Sequence, residues 1–430
     1  MKKVLVISYF YPPCTLTAAQ RTGAWVKYLE AYNWQPVVVT RCWPNAIHGP
    51  MDALRPCGND IRFSREGKAE VFRLPYRPSF RDRYVVRHAN RPWRVLSRLL
   101  TLWQMVCDHW LSPVGVMKDL QVQADKVIAN DPDISAVIIS GNPFEQFRIG
   151  YRLHRKHGIP WIADYRDDWN TSELEEAKTL TGRLLRMITS VNEKLWVGTA
   201  SFITSVSPWY VEKIQQFTGV KGEVVLNGYD ELPEMDNDHP PISPTEFIIT
   251  YNGTLYESQD VETVLDVVKS LIDQTGDKLK IVIHFPGLAY DSVAENRVRK
   301  NMRGYEDHVV ITDRIPRLKV LEIQQQSDVL LMIAHGGVKG VPSSKVFEYI
   351  GLRKPVLLYP NDHDILESLL TETNLGVICN NREQLENSMK EMILSKVRGE
   401  ANTTRPDKAV IAGLSRKQQV EKLVHLLNRL

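Results

Sequence analysis

Apolar residues along this chain fall into short runs rich in Val and Ile, separated by longer stretches of helical period. In the first half the runs Val4–Ser8, Pro36–Thr40, Val71–Leu74, Ala136–Ser140, Pro160–Ala163, Phe202–Ser205 and Glu223–Leu226 read as strands, and Thr17–Tyr32 reads as a helix. Continuous apolar strands alternating with helices imply a parallel sheet covered on both faces. The alternation then stops. Residues 231–245, which begin Glu-Leu-Pro-Glu-Met-Asp and continue through further prolines and acids, have no helical period and read as a linker. It restarts with strands at Phe247–Tyr251, Lys280–Phe285, His308–Thr312, Asp328–Ile333, Val356–Tyr359 and Gly376–Cys379, with a helix Val261–Ile272 after the first of them. The final segment, Ser415–Leu430, is an amphipathic helix.

Two successive β/α sets predict an α/β protein of two Rossmann-like domains facing across a cleft. The boundaries expected are 1–230 for the first domain, 231–245 for the linker, 246–412 for the second domain and 413–430 for a terminal helix. A length of 430 residues agrees, being too great for one ordinary core.

Composition narrows the class. Hydrophobic residues at 43% and charged residues at 24% are those of a water-soluble globular chain. No apolar run approaches the roughly 18–20 residues needed to cross a bilayer. The apolar run after Met1-Lys-Lys is short and reads as a buried first strand rather than a leader. Five cysteines, at 14, 42, 57, 107 and 379, odd in number and never spaced Cys-x-x-Cys, argue against a disulfide framework and a structural zinc site and point to a reducing, cytoplasmic compartment. No His/Asp/Glu cluster has metal-ligand spacing.

Charge is uneven. Residues 1–230 carry 30 Lys/Arg against 22 Asp/Glu, and the excess sits between Arg73 and Arg98, where eight arginines accompany one acid, Asp82. The same stretch, extended to Trp110, carries Tyr76, Phe80, Tyr84, Trp93, Trp103 and Trp110 around an apolar helical face at Val95–Val106. A basic, aromatic-rich amphipathic segment suits an anionic membrane surface. An ordinary packed helix is the alternative, and no nucleic-acid motif accompanies it.

Candidate chemistry clusters at strand ends, where open α/β sheets bind ligands. The stretch Val341-Pro-Ser-Ser-Lys-Val-Phe-Glu places Ser343, Ser344 and Lys345 at a helix start, with Glu348 one turn on. Free N–H groups and a lysine there suit a diphosphate. Gly253 and Thr254, in Tyr251-Asn-Gly-Thr-Leu, follow a strand and allow close approach to phosphate. His335 follows another strand as a donor-contacting or a structural histidine. In the first half, Asp164, Arg166 and Asp167 (Asp164-Tyr-Arg-Asp-Asp) follow a strand and read either as acceptor and phosphate groups or as an Asp/Arg network capping the next helix. Asn142 and Glu145 follow a further strand end.

These motifs occur in an order that resembles GT-B glycosyltransferase family 4, of the type that builds bacterial surface polysaccharide. Tyr9-Phe-Tyr-Pro-Pro leads to Gln20-Arg-Thr, then Pro160-Trp-Ile-Ala-Asp-Tyr-Arg-Asp-Asp-Trp, Leu226-Asn-Gly-Tyr-Asp, Tyr251-Asn-Gly-Thr-Leu and the Lys345–Glu348 helix. The resemblance implies a retaining, metal-free, cofactor-free enzyme of the cytoplasm or of the inner membrane face. It would take a nucleotide-diphosphate sugar as donor and a lipid-linked or glycan acceptor. It implies Lys345 on the diphosphate and Glu348 on the ribose, with Gly253, Thr254, His335, Ser343 and Ser344 completing the donor site. Asp164 and Arg166 join Lys345 as catalytic candidates, and Arg21, Asn142, Glu145, Asp164 and Asp167 as acceptor groups. It also implies that the terminal helix crosses back to the first domain. Three positions depart from the family: Gly340 where many members have a sugar-contacting Glu, and Thr254 and Gln259 where many have cations. Lys345, Lys339 or Arg21 would then have to supply the missing charge. Two further readings stay open, a nucleotide-sugar epimerase and a non-catalytic GT-B partner subunit. A dinucleotide-dependent dehydrogenase lacks its Gly-x-Gly-x-x-Gly.

Overall fold

A computed structural model of the chain describes residues 1–44, 47, 50–88, 94–172, 180–230, 243–400 and 405–430. It divides into two compact α/β units, Met1–Asn227 with Lys417–Leu430, and Gly228–Arg416. Residues 231–242 of the expected linker lie outside the described residues, as do Trp93 and Arg91.

The first unit is built on strands β1 (Lys2–Ser8), β2 (Trp34–Arg41), β3 (Arg62–Glu66), β4 (Ala69–Leu74), β5 (Ile134–Gly141), β6 (Trp161–Tyr165), β7 (Phe202–Ser205) and β8 (Gly222–Val224). Their order in the sheet is β3-β4-β2-β1-β5-β6-β7-β8. Leu5 pairs with Val37 on one side and Val137 on the other, so β1 is central and enclosed. Every pairing is parallel except β3–β4, an antiparallel edge hairpin turning at Gly67, whose φ of 61° favours glycine. Strand β3 is largely exposed and reads Arg-Phe-Ser-Arg-Glu, a charged edge with no apolar signal, which is why the pattern along the chain does not announce it.

The helix Arg416–Leu427 completes this unit. Val420, Leu423, Val424, Leu426 and Leu427 pack with Val4, Val6, Trp25, Leu29 and Ile138 in one buried cluster. Each such side chain contributes about 1.5–3 kcal/mol on burial. Polar ties fix the register: the Trp34 indole donates to Asn428 Oδ1 (3.1 Å), and the Leu226 N–H donates to Gln419 Oε1 (3.0 Å).

The second unit carries β9 (Glu246–Thr250), β10 (Lys280–Phe285), β11 (Val309–Ile311), β12 (Val329–Met332), β13 (Val356–Leu358) and β14 (Gly376–Ile378) in the order β11-β10-β9-β12-β13-β14, all parallel. Ile249 on the central strand pairs with Ile283 and Val329. The helix Val261–Thr275, started by Asp260 accepting from the Thr263 N–H, buries Val264, Leu265 and Val268 against Phe247, Ile249 and Phe285. Both units therefore present strand carboxyl ends into loops, and those loops carry the polar residues singled out in the sequence.

Candidate functional site

Strand β9 runs into a loop that starts at the buried Tyr251 and turns at Gly253, with φ 88°. Lys345 comes to the same loop from the start of the helix Ser344–Gly351. Its Nζ donates to the Tyr251 hydroxyl (2.7 Å) and to the Thr254 carbonyl (2.9 Å), and lies 4.1 Å from the centre of the Tyr251 ring. Among the described residues no carboxylate forms an ion pair with it. Burial without a counter-charge pushes its pKa down to about 7. The lysine is thus held by neutral groups alone.

The surroundings extend this arrangement. Ser343 occupies the N-cap position of the helix, but its side chain makes no capping bond, and the first turn holds no acid. Glu348, one turn on, accepts from Gln324 Nε2 (3.0 Å) and lies 3.4 Å from Arg317. His335 Nδ1 shares a hydrogen bond with Ser258 Oγ (2.7 Å), and its ring lies 5.3 Å from Tyr256. Burial, and then the charge of Lys345, lower its pKa and favour the neutral ring. Gly253, Thr254, Lys345 and His335 are in this way brought to one loop system, with Ser343, Ser344 and Glu348 on the adjoining helix.

Two departures from the family pattern acquire physical roles. Gln259 is buried. Its Oε1 accepts from the Tyr251 hydroxyl (3.0 Å) and the Tyr256 N–H (2.9 Å), while its amide donates to the Ile333 carbonyl. A neutral clamp therefore stands at this position. The Gly340 N–H donates to the Asp364 carboxylate, which places an acid from the β13 side at that loop. Tyr251 and Asp364 were not singled out as site residues in the sequence, because an aromatic and an isolated acid carry no motif, whereas Gln259 stood out only as a missing cation.

The first unit treats its candidates differently. Arg21 and Asp164, read above as acceptor and catalytic groups, are bound to each other: Nη2 to Oδ1 at 2.6 Å and Nε to Oδ2 at 3.1 Å, both side chains enclosed. Asp164 also accepts from Ser140 Oγ (2.9 Å) and Thr204 Oγ1 (2.7 Å), and Arg21 donates to the Val225 carbonyl (2.8 Å). The pair joins the first helix to β5, β6, β7 and the segment after β8. In this structure the pair ties these elements together, and the charge of Arg21 is matched by Asp164. Arg166 pairs with the exposed Asp167 (2.8 Å) and lies over the Phe10 ring. Asn142 is exposed, and Glu145 is half-buried with its Oε1 3.9 Å from His109 Nε2.

The basic segment is also sorted by the fold. Arg73 pairs with Glu66 (2.5 Å), Arg81 with Asp82 (3.0 Å), and Tyr76 is buried against the Arg41 guanidinium. Arg83, Arg87 and Arg98 remain exposed. On the helix Arg94–Trp110, Leu96, Leu99, Trp103 and Trp110 recur at helical spacing on the outer side. On the helix Leu180–Val197, Met187, Val191 and Leu195 do the same, and these seven side chains are 39–64% exposed. The two helices meet where His109 Nδ1 bonds Asn192 Nδ2 (2.9 Å). Among the described residues no helix is long and apolar enough to cross a membrane.

No family model and no curated protein matches the chain. Solved structures do. Sucrose-phosphate synthase from Thermosynechococcus elongatus is similar at 12% identity and a TM-score of 0.65, over 100% of this chain and 99% of that one. An alpha,alpha-trehalose-phosphate synthase (UDP-forming) from Burkholderia xenovorans, in complex with glucose-6-phosphate, is similar at 10% identity and 0.65, over the whole of both chains. UDP-GlcNAc 2-epimerase from Methanocaldococcus jannaschii is similar at 10% identity and 0.50, also over the whole of both. At these identities the likeness shows the fold: the chain has two Rossmann-like domains of the GT-B class.

Proposed function

We propose that the chain is a retaining glycosyltransferase of the family 4 kind, moving a sugar from a nucleotide-diphosphate sugar to a lipid-linked or glycan acceptor. The observation that carries this reading is Lys345, a lysine with no anionic partner among the described residues, seated on a glycine loop at a helix start. A diphosphate would supply the missing charge and restore the lysine to its charged state. Glu348 would take the ribose hydroxyls, exchanging its contact with Gln324 or Arg317 for them.

In such a transfer the bond between the anomeric carbon and the diphosphate oxygen breaks as the acceptor hydroxyl attacks from the same face. The departing phosphate takes the acceptor proton. Negative charge grows on that phosphate, and Lys345 with the helix N–H groups is arranged to meet it. Removing one preorganised electrostatic group of this kind typically costs about 10²–10³ in rate. No side-chain nucleophile is required.

The solvent-facing apolar stripes, with Arg83, Arg87 and Arg98 nearby, support a peripheral position on an anionic membrane, which a lipid-linked acceptor in surface-polysaccharide assembly would need. The epimerase-like neighbours support a second reading, a nucleotide-sugar epimerase, which would change the donor sugar with no acceptor present.

A thermal-shift screen of the full chain against UDP-, GDP-, CMP- and dTDP-linked sugars tests the donor assignment. One of these should raise the melting temperature of the wild type and fail to raise that of Lys345→Ala. Equal shifts in both proteins would remove Lys345 from the donor site.

A further inference from the structure

A polar cavity lies wholly within the first unit, at the carboxyl ends of β1, β4 and β5. Its volume is about 190 Å³, and Tyr9, Tyr76, Arg81, Gln104, Asp108 and Glu145 are among its walls. Drug-sized ligands occupy about 300–1,000 Å³, so this space suits one small ring rather than a glycan chain or a lipid tail.

One wall is a preorganised chain of hydrogen bonds. The Tyr76 hydroxyl and the Ser79 N–H both donate to Asp82 Oδ2 (3.0 Å each), and Ser79 Oγ donates to Gln104 Oε1 (3.0 Å). One turn on along the same helix, Asp108 accepts from the Val114 N–H (2.9 Å). Burial, together with the charge of Glu145, raises the Asp108 pKa to about 6. The facing wall is Glu145, whose carboxylate makes no hydrogen bond among the described residues. Behind it stands His109, 4% exposed, whose Nε2 has no hydrogen-bond partner and lies 3.9 Å from Glu145 Oε1. Asn192 Nδ2 hydrogen-bonds Nδ1 (2.9 Å), which leaves Nε2 turned toward the Glu145 side of the cavity.

This inventory selects a ligand. Asp108 and Glu145 have lone pairs to spare and so call for hydroxyl hydrogens. They also repel anions. Of the two lining cations, Arg81 is tied to Asp82, and Arg77 at the rim donates to the Asn59 carbonyl (3.3 Å). We propose that this cavity receives a single uncharged, hydroxyl-rich sugar ring of the acceptor, read by Asp108 and Glu145. The proposal rests on the glycosyltransferase reading and adds the acceptor's chemistry: a neutral sugar, unlike the glucose-6-phosphate bound by the trehalose-phosphate synthase named above. Gln104 and Asp108 belong to the same helix that presents Leu99 and Trp103 to solvent, so one element would serve both the sugar and the surface that carries it.

The test is ligand-observed NMR of the full chain with methyl hexosides (gluco, galacto and manno) and with the corresponding hexose 6-phosphates. Nucleotide-sugar binding is measured in parallel. At least one neutral hexoside should bind more tightly than its phosphate. Glu145→Gln, at a half-exposed side chain with no hydrogen bond to lose, should weaken it about tenfold, and Asp108→Asn at least as much. Neither should alter nucleotide-sugar affinity. A phosphate that binds tighter, hexoside binding indifferent to both variants, or nucleotide-sugar binding without any hexoside binding overturns the cavity assignment alone. Hexoside binding in a chain that binds no nucleotide sugar overturns the acceptor role together with the donor reading.

Discussion

A methyl group added at Gly253 would lie 3.3 Å from Cε of Lys345. The φ of 88° favours glycine, and a side chain there would also crowd the lysine that crosses it. Gly253→Ala should strain the loop and push Lys345 off the Tyr251 hydroxyl. We expect about tenfold weaker nucleotide-sugar binding by calorimetry, with a melting temperature lowered by only a few degrees. Unchanged affinity would mean that the position of the lysine is immaterial to the donor.

Lys345 also sets a proton balance. Its folded pKa, about 7, lies below its ordinary value of 10.5. Folding therefore disfavours its charged form, and the cost grows as pH falls from the unfolded pKa toward the folded one, then levels off below it. Lys345→Met should for that reason raise the melting temperature of the free protein near pH 6–7, with the advantage fading toward pH 10. Binding a diphosphate should return the lysine to its charged state. Calorimetry at pH 8 in buffers of different ionisation enthalpy should then report proton uptake on binding, absent in the Met variant. Proton release, or none in the wild type, would contradict the pairing.

Much of this architecture is legible in the chain because enclosed parallel strands must be continuous in Val and Ile. Leu5, Val37 and Val137 meet for that reason. Gly253 and Lys345 could be picked out as donor candidates because each sits at a strand end or helix start. The limit is distance in sequence. Arg21 and Asp164 are 143 positions apart, and nothing local says that they neutralise one another. Asp164 read as a ligand group because a charge after a strand usually faces solvent, whereas here Ser140 and Thr204 close over it. The cavity around Asp108 and Glu145 was only half visible, because Asp108 and His109 lie in a helix whose apolar face drew the reading toward membranes.

The Arg21–Asp164 pair gives a prediction of the opposite kind. Removing one partner of a buried ion pair leaves a charge without compensation and typically costs about 3–5 kcal/mol. Asp164→Ala should lower unfolding stability by that order in chemical denaturation, while nucleotide-sugar affinity in the folded protein stays within about twofold. A stable variant that had lost only transfer would instead return Asp164 to the reacting groups.

The exposed stripe on the helix Arg94–Trp110 makes the last prediction. Leu99 and Trp103 stand outward one turn apart, and Arg98 beside them is exposed. An apolar stripe inserts into the interface, while exposed arginines each add about 1 kcal/mol of attraction to anionic headgroups, a contribution that salt screens. The two components should separate in vesicle sedimentation with phosphatidylglycerol and phosphatidylcholine. Arg83→Gln with Arg87→Gln and Arg98→Gln should weaken binding to anionic vesicles by about 10²-fold at low salt and remove most of its salt dependence. Leu99→Ser with Trp103→Ser should weaken binding at every salt concentration. Because neither set touches the Lys345 loop, nucleotide-sugar affinity should hold in both. Vesicle binding that ignores both sets and salt alike would mean that this face meets something other than lipid.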